Sequence, residues 1–317
     1  MLYSTKTASQ KRRDLRALLT PGEARPFPGA FTPLSVALIQ EKGFPGVYIS
    51  GAVIANELGL PDVGLTTLSE VAARGGQIAR ATDLPCLIDA DTGFGEPMNV
   101  ARTVQELEEA GLAGCHIEDQ VNPKRCGHLD GKTMVDLDTA TRRIRAAADA
   151  RRDEDFLVMA RTDLRATAGL AAAIDRMQAL VDAGAEAIFP EALRDLSEFE
   201  QVCAALDVPV LANMTEFGKS QLFTREQLAE AGVAMVIYPV TLLRAAMGAG
   251  ERVLETILET GTQESRVPEM LTRARLYELV DYESYSRFDA SVFDFEVPAA
   301  HGTDPHAPDR TPPSTKE

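Results

Sequence analysis

The sequence predicts an α/β fold, and within that class a (β/α)8 barrel of the TIM type with a C-terminal helical extension. Three observations carry this expectation. Eight short, β-rich apolar segments alternate with amphipathic helical patterns, the order that builds parallel β/α units. The chain has 317 residues, more than the roughly 250 that such a barrel takes, so extensions are expected. No complete dinucleotide fingerprint occurs. The nearest stretch, Gly93-Phe94-Gly95-Glu96-Pro97-Met98, lacks the third glycine, which leaves a doubly wound sheet as the alternative.

In chain order, residues 1–23 read as an irregular lead-in containing a short helix at 10–19. The strand candidates are 25–30, 46–50, 86–91, 114–118, 156–161, 187–191, 209–213 and 235–239. Between them the apolar residues recur with helical spacing. Over 100–110, Val100, Val104 and Leu107 share one side, with Leu112 less strictly aligned, and Gly111 stops the helix. The segment 171–183 repeats the design and ends at Gly184. After Thr241 the pattern is mostly helical through Leu254, Leu258, Leu271 and Leu279. It is too apolar for a free tail and is expected to pack on the barrel or on a neighbouring subunit. One domain is therefore expected over 1–295. Residues 296–317 are rich in Pro, Asp, His, Thr and Ser and read as a disordered tail, with no role for His301 or His306.

Charge and cysteines narrow the function classes. With 32 basic and 48 acidic residues the formal charge is -16, which argues against nucleic acid and against an anionic membrane surface as partners. An acidic enzyme can still bind an acidic small molecule if its pocket gathers cations. Cys86, Cys115, Cys126 and Cys203 form no CxxC pair, and reduced thiols in a cytoplasmic protein are expected. Met1 to Arg16 has no apolar core of a signal peptide, and no run approaches the roughly 18 apolar residues of a membrane span.

A barrel of this kind places its site at the C-terminal ends of the strands. The strand ends of this sequence carry Ser50-Gly51-Ala52, Asp89-Ala90-Asp91, Glu118-Asp119, Arg161-Thr162-Asp163, Glu191 and Asn213-Met214-Thr215, with Arg244 after the last strand. Asp89 and Asp91, two apart on a strand, are expected to point the same way. A hard divalent ion relieves their repulsion, and an oxygen-only environment fits Mg2+ or Mn2+ rather than zinc. Arg161 suits a carboxylate, or equally a structural ion pair. Glu118 and Glu191 could bind metal through water, orient a base or pair with Arg161. His116 reads as a core histidine. Asn213 and Thr215 could hold carboxylate oxygens or cap the strand. The loop Lys124-Arg125-Cys126-Gly127-His128 sets a thiol among cations, which lower its pKa and fit it for nucleophilic attack or for exchanging a proton with a carbanion.

Together these residues resemble the isocitrate lyase / phosphoenolpyruvate mutase superfamily. The Lys124-to-His128 loop resembles its lyase signature, in the methylisocitrate lyase branch most of all. Supporting stretches are Tyr48-Ile49-Ser50-Gly51, Gly59-Leu60-Pro61-Asp62, Asp89 to Gly95, His116 to Gln120, Met159 to Asp163, Phe189 to Ala192 and Asn213 to Gly218, and the resemblance spans roughly 10–295. It implies a barrel that is often tetrameric with a helix exchanged between subunits, and Mg2+-dependent cleavage of a small tricarboxylate to pyruvate and succinate. It further implies that Asp89 and Asp91 hold the metal, and that Ser50, Gly51 and Ala52 meet the pyruvate half. Arg161, Glu191, Asn213, Thr215, Arg244 and Arg273 would meet carboxylates or orient the substrate, alongside Lys124 and Arg125. Gly127 and His128 would hold the succinyl end, with Cys126 as general acid and Glu118 behind the metal ligands; Asp62 is a further contributor. The segment at Ser50-Gly51-Ala52-Val53 is one residue shorter than in that branch. The isocitrate lyases carry a tryptophan after the same Ser-Gly pair, whereas this chain has no Trp, leaving room for an extra substrate methyl. An oxaloacetate-type lyase or hydrolase of the superfamily is the alternative, and a non-catalytic dicarboxylate-binding barrel the remaining one.

Overall fold

The computed structural model describes residues 4–125 and 131–294. Helix α1 (Ala8–Leu18) comes first, closed at its start by a capping box between Thr7 and Gln10. The strands are β1 (Arg25–Pro28), β2 (Val47–Ile49), β3 (Cys86–Asp89), β4 (Gly114–Glu118), β5 (Leu157–Thr162), β6 (Ala187–Pro190), β7 (Leu211–Asn213) and β8 (Met235–Tyr238). Between them run α2 (Pro33–Glu41), α3 (Gly51–Glu57), α4 (Leu68–Arg80), α5 (Pro97–Glu109), α6 (Leu137–Ala150), α7 (Arg165–Ala168), α8 (Leu170–Asp182), α9 (Leu196–Ala205) and α10 (Arg225–Glu230). Each expected strand is present, trimmed by up to two residues at an end or, for β5, shifted by one.

All strand pairs are parallel, in the orders β1-β8-β7 and β2-β3-β4-β5-β6. Two single bridges join these sheets, Gly29 with Tyr48 and Ile188 with Val210. The first is reinforced by Ala30 N donating to Tyr48 O at 2.9 Å, the second by Ile188 N donating to Pro209 O at 2.9 Å. The eight strands therefore close into a ring in sequence order, and the doubly wound alternative does not apply.

The two hydrophobic cores follow from the period of two along each strand. Residues facing outward, such as Val47, Ile49, Ile88, Cys115, Val158 and Ile188, pack under the helices. Those facing inward, including Phe27, Tyr48, Leu87, Leu157, Met159, Phe189, Leu211, Met235 and Ile237, fill the barrel axis. Leu15 and Leu19 join this inner core, so α1 stoppers the N-terminal end of the barrel. Its polar face is tied down as well: Arg12 Nη2 donates to Glu108 O at 2.6 Å, and Arg12 Nη1 lies 2.7 Å from Asp153 Oδ2. With one end sealed by leucines, polar groups inside the barrel can gather only at the other.

After β8 come α11 (Thr241–Thr260), a short 3-10 turn (Glu264–Glu269), α12 (Arg273–Leu279) and α13 (Tyr282–Phe293). This is the predicted helical extension, but within one chain it packs little on the barrel. Thr256 is the one buried residue of α11, and α12 and α13 bury none. Leu254, Leu258, Phe288 and Phe293 are all more than 60% exposed. Where a barrel helix would be expected, an apolar groove of about 400 Å³ stays open, lined by residues such as Pro28, Ile39, Phe44 and Leu242. No helix among the described residues is long and apolar enough to cross a membrane. The expected tail, 296–317, lies outside the described residues.

Candidate active site

Inward-facing side chains change character along each strand from the stoppered end upward. On β3 the order is Leu87 then Asp89. On β4 it is Gly114, His116, Glu118, on β5 Leu157, Met159, Arg161, on β6 Ala187 and Phe189 followed by Glu191, and on β7 Leu211 then Asn213. Neighbouring strands are in register, with Asp89 opposite His116 and Glu118 opposite Arg161. These five strand ends thus deliver ionisable or hydrogen-bonding groups to one rim, five of the six that the sequence suggested.

Asp89 and Asp91 converge, though not by the route expected. β3 ends at Asp89, and Asp91 sits in a turn with φ of 45°. The turn is held by Asp91 N donating to Asp89 Oδ1 at 2.9 Å. The carboxylates therefore meet through a bend rather than through strand alternation. They meet over Gly51, whose N donates to Asp89 Oδ2 at 3.2 Å. A Cβ on Gly51 would stand 2.9 Å from Asp89 Oδ2 and 3.2 Å from Asp91 Oδ1, so glycine is required for the approach. Burial pushes the Asp91 carboxyl up to about 6. Burial also opposes the charge on Asp89, but His116, Lys124 and Arg161 hold it below the ordinary carboxylate range.

Lys124 occupies a different place from the one its neighbours in sequence suggested. Its side chain is 3% exposed; Nζ pairs with Asp62 and lies 2.7 Å from Asp91 Oδ1. Burial works against this ammonium, yet Glu118, Asp91, Asp89 and Asp62 hold it protonated. Its charge therefore stands among the acids Asp62 and Asp91. Arg125 remains exposed, its N and O tied to the Gln120 side chain at 2.9 and 2.8 Å. Cys126, Gly127 and His128 lie outside the described residues. Cys86 and Cys115 are buried free thiols pushed up to about 12 by burial, and Cys203 is also free.

Arg161 is the hub of the opposite half. Its Nε lies 3.2 Å from Glu118 Oε2 and 3.0 Å from Asp163 Oδ2, its Nη2 lies 3.2 Å from Glu191 Oε2, and its guanidinium covers the Phe189 ring at 5.1 Å. The ion-pair reading of Arg161 is therefore realised, with the side chain 8% exposed. Burial raises the Glu118 carboxyl well above its usual value, and neither of its oxygens has a hydrogen-bond partner. Asn213 Nδ2 donates to Glu191 Oε2 at 3.4 Å. On the rim, Arg244 Nη1 donates to Thr215 Oγ1 at 3.2 Å and to Glu216 O at 2.8 Å. Ser50 follows β2 as the N-cap of α3 without using its side chain there, and Ala52 lies half-buried two residues on. Arg273 is exposed at the start of α12, where neighbouring Arg275 ties the helix to Glu41 of α2. The structure does not bring Arg273 to this rim within one chain.

His116 is fully buried, stacked on Tyr48 with its Nε2 2.7 Å from the Tyr48 hydroxyl. Burial drives its pKa down to about 4, so it is the neutral core histidine expected. Two groups escaped the sequence reading: Tyr48, which lines the axis beneath the acids, and Lys132, whose Nζ lies 2.6 Å from Asp163 Oδ1. The alternation of β2 could have pointed Tyr48 inward. No spacing signal marks Lys132.

The donor set fits a hard divalent ion. Two carboxylates converge over Gly51, and Glu118 Oε1 is buried without a hydrogen bond. Among the described residues no group of three or more His, Cys, Asp or Glu is placed as a full metal cage. A sparse two-carboxylate set suits Mg2+, which keeps several waters.

Comparison with known proteins follows the same lines. The phosphoenolpyruvate phosphomutase family model matches residues 15–258. A Corynebacterium glutamicum protein called probable 2-methylisocitrate lyase 2 is 57% identical over 297 residues, covering 93% of this chain and 97% of its own. The 2-methylisocitrate lyase of Escherichia coli is 47% identical over 272 residues, covering 85% and 92%. Among solved structures, oxaloacetate acetylhydrolase bound to 3,3-difluorooxalacetate superposes with a TM-score of 0.85 at 33% identity, covering 91% of this chain and 99% of that one. Phosphonopyruvate hydrolase in complex with oxalate and Mg2+ does so at 0.79 and 27%, covering 91% and 100%. The chain belongs to the isocitrate lyase / phosphoenolpyruvate mutase superfamily, in its 2-methylisocitrate lyase branch.

Proposed function

We propose that this carbon–carbon lyase cleaves 2-methylisocitrate to pyruvate and succinate, as in a methylcitrate route of propionate breakdown, with Mg2+ at Asp89 and Asp91 (Mn2+ being an acceptable substitute). The observation that carries the substrate is the 57% identity, over 97% of its length, to a relative with that name.

The residues divide the work. Asp89 and Asp91 would hold the ion. A bound Mg2+ supplies Lewis-acid polarisation to the keto-acid half. Ser50, Gly51 and Ala52 meet that half, where a residue as small as Ala52 leaves room for the methyl group. Arg161, oriented by Glu118, Asp163 and Glu191, presents a planar fork to a carboxylate, and Asn213, Thr215 and Arg244 receive the succinyl part at the rim with Gly127 and His128. During cleavage the tertiary hydroxyl gives its proton to a carboxylate of the rim and its oxygen becomes the pyruvate carbonyl, the C–C electron pair moves to the succinyl carbon, and the carboxylate there spreads the charge. Cys126 then delivers the proton that completes succinate. Lys124 holds Asp62 and Asp91 together and keeps a cation beside the acids. The exposed apolar faces of α11 to α13 and the open groove support a homo-oligomer, a tetramer with helices exchanged between subunits.

The test is a side-by-side assay of 2-methylisocitrate and isocitrate, with and without chelator. Pyruvate release from the methylated substrate should dominate and stop when Mg2+ is removed. Cys126→Ser should retain fold and metal and lose at least a hundredfold in kcat. Glyoxylate release from isocitrate at equal kcat/KM, or cleavage of oxaloacetate instead, would move the assignment to another branch of the superfamily; near-normal turnover in Cys126→Ser would remove the thiol from its role.

A further inference from the structure

Lys132 forms an ion pair with Asp163, and the reaction outlined above gives Lys132 no part. Nζ lies 2.6 Å from Oδ1, with the side chains 2% and 0% exposed. Two charges withdrawn this far from water carry a desolvation cost of several kcal/mol, so mere surface decoration is not a sufficient account. The geometry around Asp163 supplies a better one. The same Oδ1 accepts from Arg161 Nη2 at 3.3 Å, while Oδ2 accepts from Arg161 Nε at 3.0 Å. Asp163 is itself fixed, its N donating to Asp119 Oδ1 at 3.2 Å. Lys132 follows Gly131, whose φ of +78° is one that residues with a side chain rarely adopt.

Arg161 faces three carboxylates, those of Glu118, Asp163 and Glu191. A guanidinium so surrounded is a poor receptor for one more anion, since each acid competes for its donors and repels the incoming charge. Lys132 provides a second cation on the acid that binds Arg161 through two hydrogen bonds. We infer that Lys132 is a positioning residue: by neutralising Asp163 it allows Arg161 to present its guanidinium to a substrate carboxylate. The inference rests on the reading of Arg161 as a carboxylate-binding residue; Lys132 itself does not touch substrate.

The test uses the full chain loaded with Mg2+, with pyruvate and succinate as separate binding probes in calorimetry and steady-state cleavage alongside. Lys132→Met should weaken at least one probe fivefold or more and raise KM to match. Its Mg2+ affinity should stay within twofold, because Asp89 and Asp91 are untouched. Lys132→Arg should restore most of the loss. The double variant Lys132→Met/Asp163→Asn, which returns the cluster to its wild-type net charge, should bind more tightly than Lys132→Met alone. Wild-type affinity for both acids in Lys132→Met overturns the inference, as does a loss confined to Tm. Should Lys132→Met fail to fold, the double variant is compared with Asp163→Asn alone. Equal affinities support action through Asp163, and a further loss in the double variant overturns it. Failure of wild-type cleavage would sink the functional reading, while the binding series would still decide the role of Lys132.

Discussion

At Gly51 one missing methyl group decides whether the acidic pair can close on a cation. The virtual Cβ stands 3.1 Å from the Asp89 carboxyl carbon, besides its approach to both carboxylate oxygens. The strand β3 behind Asp89 cannot yield, because its backbone is pinned between β2 and β4. Gly51→Ala is expected to raise the Mg2+ dissociation constant tenfold or more, about 1.4 kcal/mol, as read by calorimetry, with the Tm of the metal-free protein nearly unchanged. Unaltered affinity would show that the ion does not sit over Gly51. At this scale the sequence was informative where function depends on residue type at short spacing: Asp89, Asp91, Glu118, Arg161 and Glu191 all reach the rim. It was silent where partners come from distant segments. Lys124 lies two positions before Cys126 in sequence but is buried against Asp62 and Asp91, and Lys132 acquires meaning only from Asp163, 31 positions on.

The elements that present these residues were legible because two periodicities agree. Alternation along the strands and the helical stripes between them both require a ring with an apolar inside, and the strand limits came within two residues. The bend after Asp89 was not legible, since an acid in the left-handed region looks like one more strand residue in sequence. Nor was the task of α1. Its apolar stripe announces a buried face without naming the surface that receives it, and the receiver is the barrel axis itself: Leu15 is fully buried in one cluster with Phe27, Leu87, Leu157 and Met235. Leu15→Ala should therefore cost roughly 2–5 kcal/mol, the range for emptying a leucine site in a core, measured by urea unfolding. Because the cavity opens at the end of the barrel remote from the rim, the residual folded enzyme should keep its KM. A loss below 1 kcal/mol would mean that α1 is an ornament on the barrel rather than its stopper.

On the scale of the whole molecule, the barrel is complete and the extension is not. The sequence reading, that the segment after Thr241 is too apolar to remain free, left open whether barrel or neighbour receives it, and a single chain satisfies it only weakly. α11 runs 20 residues with one of them buried, and Leu258 is 88% and Phe293 83% exposed. Isolated apolar side chains on a surface need no partner, but a continuous series along three successive helices is a different matter. A formal charge of -16 opposes assembly by general repulsion, so the contact must be carried by apolar burial rather than by charge. Light scattering should accordingly give a mass several times the 34.2 kDa of one chain, weakly dependent on salt. The paired substitution Leu258→Asp/Phe288→Asp, placed on residues that leave the barrel core untouched, should lower that mass and expose the groove near Phe44 to an apolar dye. A wild-type chain that stays at 34.2 kDa at micromolar concentration would refute the exchange of helices and leave the groove to be explained by the single chain alone.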